Sequence, residues 1–141
     1  MIKKIILDSK SPILQVVFDT PLRRRFDYLP EDGARIAEPG ERVRASFGRG
    51  RALGIVAAHA AESSLPRAQL KKISAAIDTQ PLWDETTFGL LLWAADYYHH
   101  PLGEVLFGAI PKPLRKGDPA RRDEIVWRLS GTGQAAVDAG T

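Results

Sequence analysis

Hydrophobic and polar positions alternate through the first half of the chain and give way to a dense apolar block in the middle. Residues 13–19, ILQVVFD, are rich in β-branched side chains, and Leu14, Val16 and Phe18 fall on one face of a strand. Pro21 ends it, and Phe26 to Leu29 makes a second short extended piece, closed by Pro30 and the turn pair Asp32-Gly33. Glu38-Pro39-Gly40-Glu41 has the form of a type II turn, in which proline presets φ and glycine accepts a positive value. In RVRASF, Val43, Ala45 and Phe47 face one way while Arg42, Arg44 and Ser46 face the other. That spacing predicts a half-buried strand with a basic outer face. FGRGR turns tightly at residues 47–51, and Ala52 to Ala58 returns as the second strand of a hairpin. These pieces predict a small antiparallel sheet curled into a barrel.

The character changes near residue 60. Residues 59–66 read as a polar loop, and Lys71 to Ile77 fits a strand or a short helix equally. Asp84 is placed to cap a helix, and Phe88 to Tyr98 is apolar apart from Gly89 and Asp96. A helix apolar on most sides is expected to be buried on most sides. His99-His100-Pro101 stops it. After Pro111 comes a proline-rich, basic linker, and residues 125–138 predict a strand (IVWRLS) and the opening of a helix. The expected fold class is therefore α+β, mainly β with accompanying helices: a small antiparallel, OB-like barrel followed by a buried helix.

Charge sharpens this picture. The formal net charge is only +3, but residues 1–60 carry eleven Lys and Arg against seven Asp and Glu. Residues 61–110 reverse the balance with three against six. A basic first half suits a polyanionic partner, and it equally suits a solvated charged surface. The 141 residues contain no cysteine, which excludes disulfides, thiolate zinc sites and a cysteine nucleophile. MIKKIILDSK is too short in its apolar run for a signal peptide, and no later stretch approaches a membrane span. A cytoplasmic protein without membrane attachment is expected.

The search for chemistry narrows to one region. Gly48, Gly50 and Gly54 are spaced unlike a dinucleotide fingerprint and read as a hairpin turn. His99 and His100 have no third ligand at metal spacing. Neither a nucleophile with its base nor a pair of carboxylates can be placed, so no catalysis is expected of this chain alone. What remains is a set of arginines (23, 24, 25, 42, 44, 49 and 51) interleaved with Phe26, Tyr28 and Phe47. Cations and rings on a small barrel suit single-stranded nucleic acid. The same residues also fit a protein whose aromatics are core and whose arginines are solvated, or a barrel that binds an acidic protein partner. Asp27 sits among them as a poor neighbour for phosphate but a good acceptor for base N–H groups and sugar hydroxyls. From the residues alone, the plainer expectation is that it pairs with a nearby arginine.

The order FDYLP, RVRASFGRGRALGIV, QLKKI and WAADYYHHPLGEVL resembles the N-terminal region of the PriA (primosomal protein N′) family of bacterial replication-restart helicases, over about residues 12–115. The resemblance implies a domain that binds the 3′-terminal nucleotide of the nascent leading strand at a stalled fork, whatever its base. It implies Phe26, Asp27, Gly48 and Lys71 as the residues around that nucleotide, with Lys72 a one-residue alternative to Lys71. Arg25, Arg42, Arg44, Arg49, Arg51 and Lys72 are then candidate phosphate contacts. Residues 1–11 would be a charged extension, and residues 116–141 a linker and the truncated start of a winged-helix domain. No cofactor is expected here, ATP and zinc belonging to parts of the family beyond residue 141. Primosome proteins and single-stranded DNA-binding protein are expected as partners through the full-length helicase, with this domain a monomer. The three arginines before Phe26 depart from the family pattern.

Overall fold

A computed structural model describes residues 11–121 and 123–140; the expected N-terminal extension, Ser11 apart, lies outside the described residues. Five strands form one sheet: β1 (Ile13–Phe18), β2 (Phe26–Tyr28), β3 (Arg42–Phe47), β4 (Gly50–Ala60) and β5 (Ala75–Ala76), in the order β2-β1-β4-β3-β5. All neighbours run antiparallel. Residues Lys71 to Ile77, ambiguous in sequence, are extended. The Leu29 N–H donates to the Lys71 carbonyl (2.8 Å), and the Ile73 N–H donates to the Leu29 carbonyl (3.0 Å). This parallel bridge joins the chain just after β2 to the chain just before β5, so the two sheet edges meet and the barrel closes.

The turns follow their sequence signals. The Glu41 N–H closes on the Glu38 carbonyl at 3.0 Å, with Gly40 at φ +95°. Phe47 pairs with Gly50 across a two-residue loop. Its first residue, Gly48, takes φ +63°, as a type II′ hairpin turn requires.

Leu14, Val16, Phe18, Val43 and Val56 fill the barrel. The opposite faces of β1 and β4 contribute Val17, Ile55 and Ala57 to a second layer, which packs against three helices. These are α1 (Glu85–Tyr97), α2 (Leu102–Gly108) and α3 (Lys112–Arg115). The closest crossing is at Gly103 of α2, where a Cβ would stand 1.8 Å from the Phe18 carbonyl oxygen. Only a residue without a side chain lets helix backbone meet strand backbone there.

Asp84 caps α1, its Oδ1 accepting the Thr87 N–H at 2.6 Å, and this bond holds the carboxyl below its ordinary pKa. The helix is not buried on most sides, as its composition suggested. Phe88 and Ala95 are buried, whereas Leu90, Trp93, Tyr97 and Tyr98 are exposed. A helix laid on the outside of a small barrel has only one face to bury. Trp93 and Tyr97 cover each other instead, stacked at 4.8 Å. The chain leaves α1 through His99 in the left-handed region, φ +52°.

The expected strand at residues 125–130 does not form. No strand of the described residues reaches it, and Ile125 and Trp127 stand 85% and 91% exposed. Ser130 then caps α4 (Gly131–Asp138), the helix whose opening the sequence predicted.

Arg42 needs correcting as a phosphate contact. Alternation does turn it to the outer face of β3, but that face is covered there, and Arg42 is 0% exposed. Its Nε and Nη2 donate to the two carboxylate oxygens of Asp78 at 2.9 and 2.6 Å. Its Nη1 donates to the carbonyls of Leu114 (2.9 Å) and Asp118 (2.7 Å). Asp78 also accepts the Arg42 backbone N–H at 2.9 Å. A guanidinium held by four acceptor atoms beneath the protein surface is out of reach of DNA.

Candidate nucleic-acid interface

The closing seam of the barrel creates the site. Because Leu29 bonds across to Lys71 and Ile73, the side chains of β2 stand beside Lys71. The hairpin turn at Gly48 rises on the other side. Between them opens a cleft of about 340 Å³ whose walls include Phe26, Asp27, Gly48 and Lys71, with Arg24 and Arg25 on its rim. Four residues separated by up to 45 positions in the chain (71 − 26) thus line one space.

Each has a definite setting. Phe26 meets Phe47 edge-on at 5.1 Å, and Phe47 stacks on Phe18 at 4.2 Å, so the rings run from core to rim. Both pack against the barrel core and are only partly buried. The Arg24 guanidinium lies 4.6 Å above the Phe26 ring. Tyr28 is buried, and its hydroxyl donates to the Ser46 carbonyl at 2.5 Å. It therefore braces the cleft wall rather than offering a free face. Burial pushes its phenol above the ordinary pKa.

Among the described residues Asp27 has no arginine partner. Its Oδ2 accepts the Ser63 hydroxyl at 2.5 Å, and the same hydroxyl accepts the Leu65 N–H at 3.2 Å. Oδ1 has no hydrogen-bond partner among the described residues. Ser63 was invisible as a site residue in the sequence, because only closure of the barrel brings its loop over β2.

The two lysines separate cleanly. Lys72 turns to Asp32, with Nζ 2.5 Å from Oδ2. Lys71 lines the cleft and has no ion pair among the described residues. At Gly48 an added Cβ would meet nothing within 4 Å, so the backbone stands open to an incoming group.

The remaining basic residues are scattered. Arg25 lines the cleft and donates to Gln15 Oε1 at 3.1 Å. Arg49 and Arg51 are exposed on and beside the hairpin turn, outside the cleft walls. Arg44 points to the helical side, where its Nη2 lies 2.5 Å from the position a Gly117 Cβ would take. No group of three or more side chains able to hold a metal ion occurs among the described residues. None of their helices is long and apolar enough to cross a membrane.

A closed five-stranded barrel with rings, a carboxylate and a lysine at its mouth and arginines on the rim defines a small-barrel module of the nucleic-acid-binding class. Comparison with known proteins makes this specific. Residues 15–111 match the family of PriA 3′ DNA-binding domains, and the chain belongs to that family. It is 37% identical over 129 residues to the replication restart protein PriA of Haemophilus influenzae, covering 91% of this chain and 18% of that protein. It is 31% identical to the same-named protein of Treponema pallidum, covering 92% of the chain and 22% of the relative. For that of Buchnera aphidicola (subspecies Schizaphis graminum) the figures are 30% identity, 74% and 14%. The chain thus spans about a fifth or less of the length of these relatives.

Proposed function

We propose that the cleft holds the 3′-terminal nucleotide of a DNA strand, irrespective of its base, and that the domain thereby orients a replication-restart helicase on a stalled fork. The observation that carries this is the meeting of Phe26, Asp27, Gly48 and Lys71 around one cleft at the barrel seam. Lys71 supplies a cation for the terminal phosphate, and the open backbone at Gly48 admits the nucleotide closely. Phe26 offers its ring edge and main chain, contacts that any base can make. Asp27 Oδ1 is an acceptor for the 3′ hydroxyl. A strand continuing past that point would place a phosphodiester against the carboxylate, and like charges at close range disfavour it. End selectivity would then come from one acid set among cations.

Binding in this domain needs no cofactor. ATP, zinc, primosome proteins and single-stranded DNA-binding protein would engage other parts of a longer cytoplasmic helicase. Residues 116–141 would lead into its winged-helix domain, and the 3′-end domain itself would act as a monomer.

Fluorescence anisotropy with short strands ending in a free 3′ hydroxyl or a 3′ phosphate, at matched salt, tests the reading. The expected result is tighter binding to the hydroxyl, and Asp27→Ala should erode that preference more than total affinity. Equal losses on both ends would remove Asp27 from the site. Absence of DNA binding at moderate salt would favour a barrel that binds an acidic protein instead.

A further inference from the structure

A second opening lies beside the cleft, between residues 22–25 and the junction of α1 with α2. It encloses about 220 Å³, with Arg23, Arg24 and Arg25 on one wall and Asp96, His99 and His100 on the other. We propose that this groove carries the phosphodiester backbone of the strand whose 3′ end occupies the cleft; the proposal rests on that reading of the cleft and extends it upstream along the same strand.

Three observations support it. First, the openings adjoin, since Arg24 and Arg25 line both. A strand whose terminal nucleotide meets Asp27 through its 3′ hydroxyl and Lys71 through its phosphate leaves its next linkages to run out of the cleft, and Arg24 and Arg25 stand on the side that adjoins the groove. Second, the groove's charges are uneven. Asp96 is the one carboxylate among the lining residues, against three guanidinium groups, and Glu104 lies outside the lining, 3.3 Å from His100. Third, those arginines are exposed, and none has an ion pair among the described residues. Arg24 is held in place over the Phe26 ring, so its charge sits at the boundary between the openings. Cations in series beside an end-binding cleft suit successive phosphates of one strand.

The test uses the full chain and 5′-labelled strands of two and six nucleotides ending in a free 3′ hydroxyl. The variant carries Arg23→Gln, which keeps a long polar side chain at the exposed arginine of the groove that lies outside the cleft walls. Its affinity for the hexanucleotide should fall about threefold to fivefold and its salt slope should flatten by about one counterion. The dinucleotide should lose much less, and the preference for hydroxyl over phosphate ends should stay. Methylphosphonate at the second and third linkages from the 3′ end should weaken the natural protein at least as much and should cost the variant less. A preference for hydroxyl ends with an unchanged salt slope in the variant overturns the groove alone. Indifference of the natural protein to end chemistry overturns the cleft reading and the groove with it.

Discussion

Arg42 shows how far a single side chain can depart from its pattern. Its strand alternates as expected, yet its charge is spent on Asp78 and two carbonyls. Removing one partner of a buried ion pair leaves the other charge without compensation, which costs about 3–5 kcal/mol. Arg42→Ala should therefore lower the urea midpoint strongly while the remaining folded protein binds DNA normally. Arg42→Lys should fail to rescue, because an ammonium cannot fork onto a carboxylate and reach two carbonyls at once. Tyr28 makes a different prediction. Its phenol pKa is raised in the folded state by burial, so the unfolded chain gives up that proton at lower pH. The stability contributed by the neutral phenol is whole below the unfolded value of about 10 and drains away as pH rises through the folded one. Urea unfolding followed from pH 9 upward should show that decline, and Tyr28→Phe should flatten it. At neutral pH the same substitution should cost about 1 kcal/mol for the lost bond to the Ser46 carbonyl.

At the scale of elements, the strands were legible because each has one face in the barrel, and the period of two survives at Leu14, Val16 and Phe18. The Gly40 and Gly48 turns were legible because their backbones need positive φ. Exposure was not. Nothing in RVRASF reveals that chain from seventy residues later covers Arg42, and nothing in LLLWAADYY reveals how little surface a small barrel offers a helix. The four residues around the cleft were named through family likeness rather than pattern; Ser63, which braces Asp27, has no signal short of the folded seam. The choice between the tandem lysines likewise depends on the extended course of residues 71–73, which sends Lys72 to Asp32. Lys71→Ala should weaken binding to a 3′ hydroxyl strand and flatten the salt slope by about one counterion. Lys72→Ala should leave both nearly unchanged, because an exposed ion pair is worth at most about 1 kcal/mol and lies outside the cleft. Anisotropy titrations at several salt concentrations separate the two.

For the molecule as a whole, the matched family segment closes at residue 111, but the physical tie does not. Leu114 and Asp118 supply the carbonyls that complete the buried guanidinium. A chain ending after residue 118 should melt within a degree or two of the full chain, since residues 123–130 are exposed throughout and α4 buries nothing. One ending after residue 111 should melt several degrees lower, the loss of about 2 kcal/mol expected when a buried charged donor goes unmet. Differential scanning calorimetry of the two chains decides this.

The same tie has a consequence in time. On the ribosome all five strands and Asp78 are synthesised before Asp118, a lag of 40 residues (118 − 78). At about 5–20 residues per second the nascent barrel waits roughly 2–8 s for its last acceptor. Until that carbonyl has cleared the exit tunnel, Arg42 is a half-answered charge in an otherwise finished sheet. Translation speed through the proline-rich stretch from Pro111 to Pro119 therefore sets how long each new copy stays exposed to proteases and chaperones before it locks.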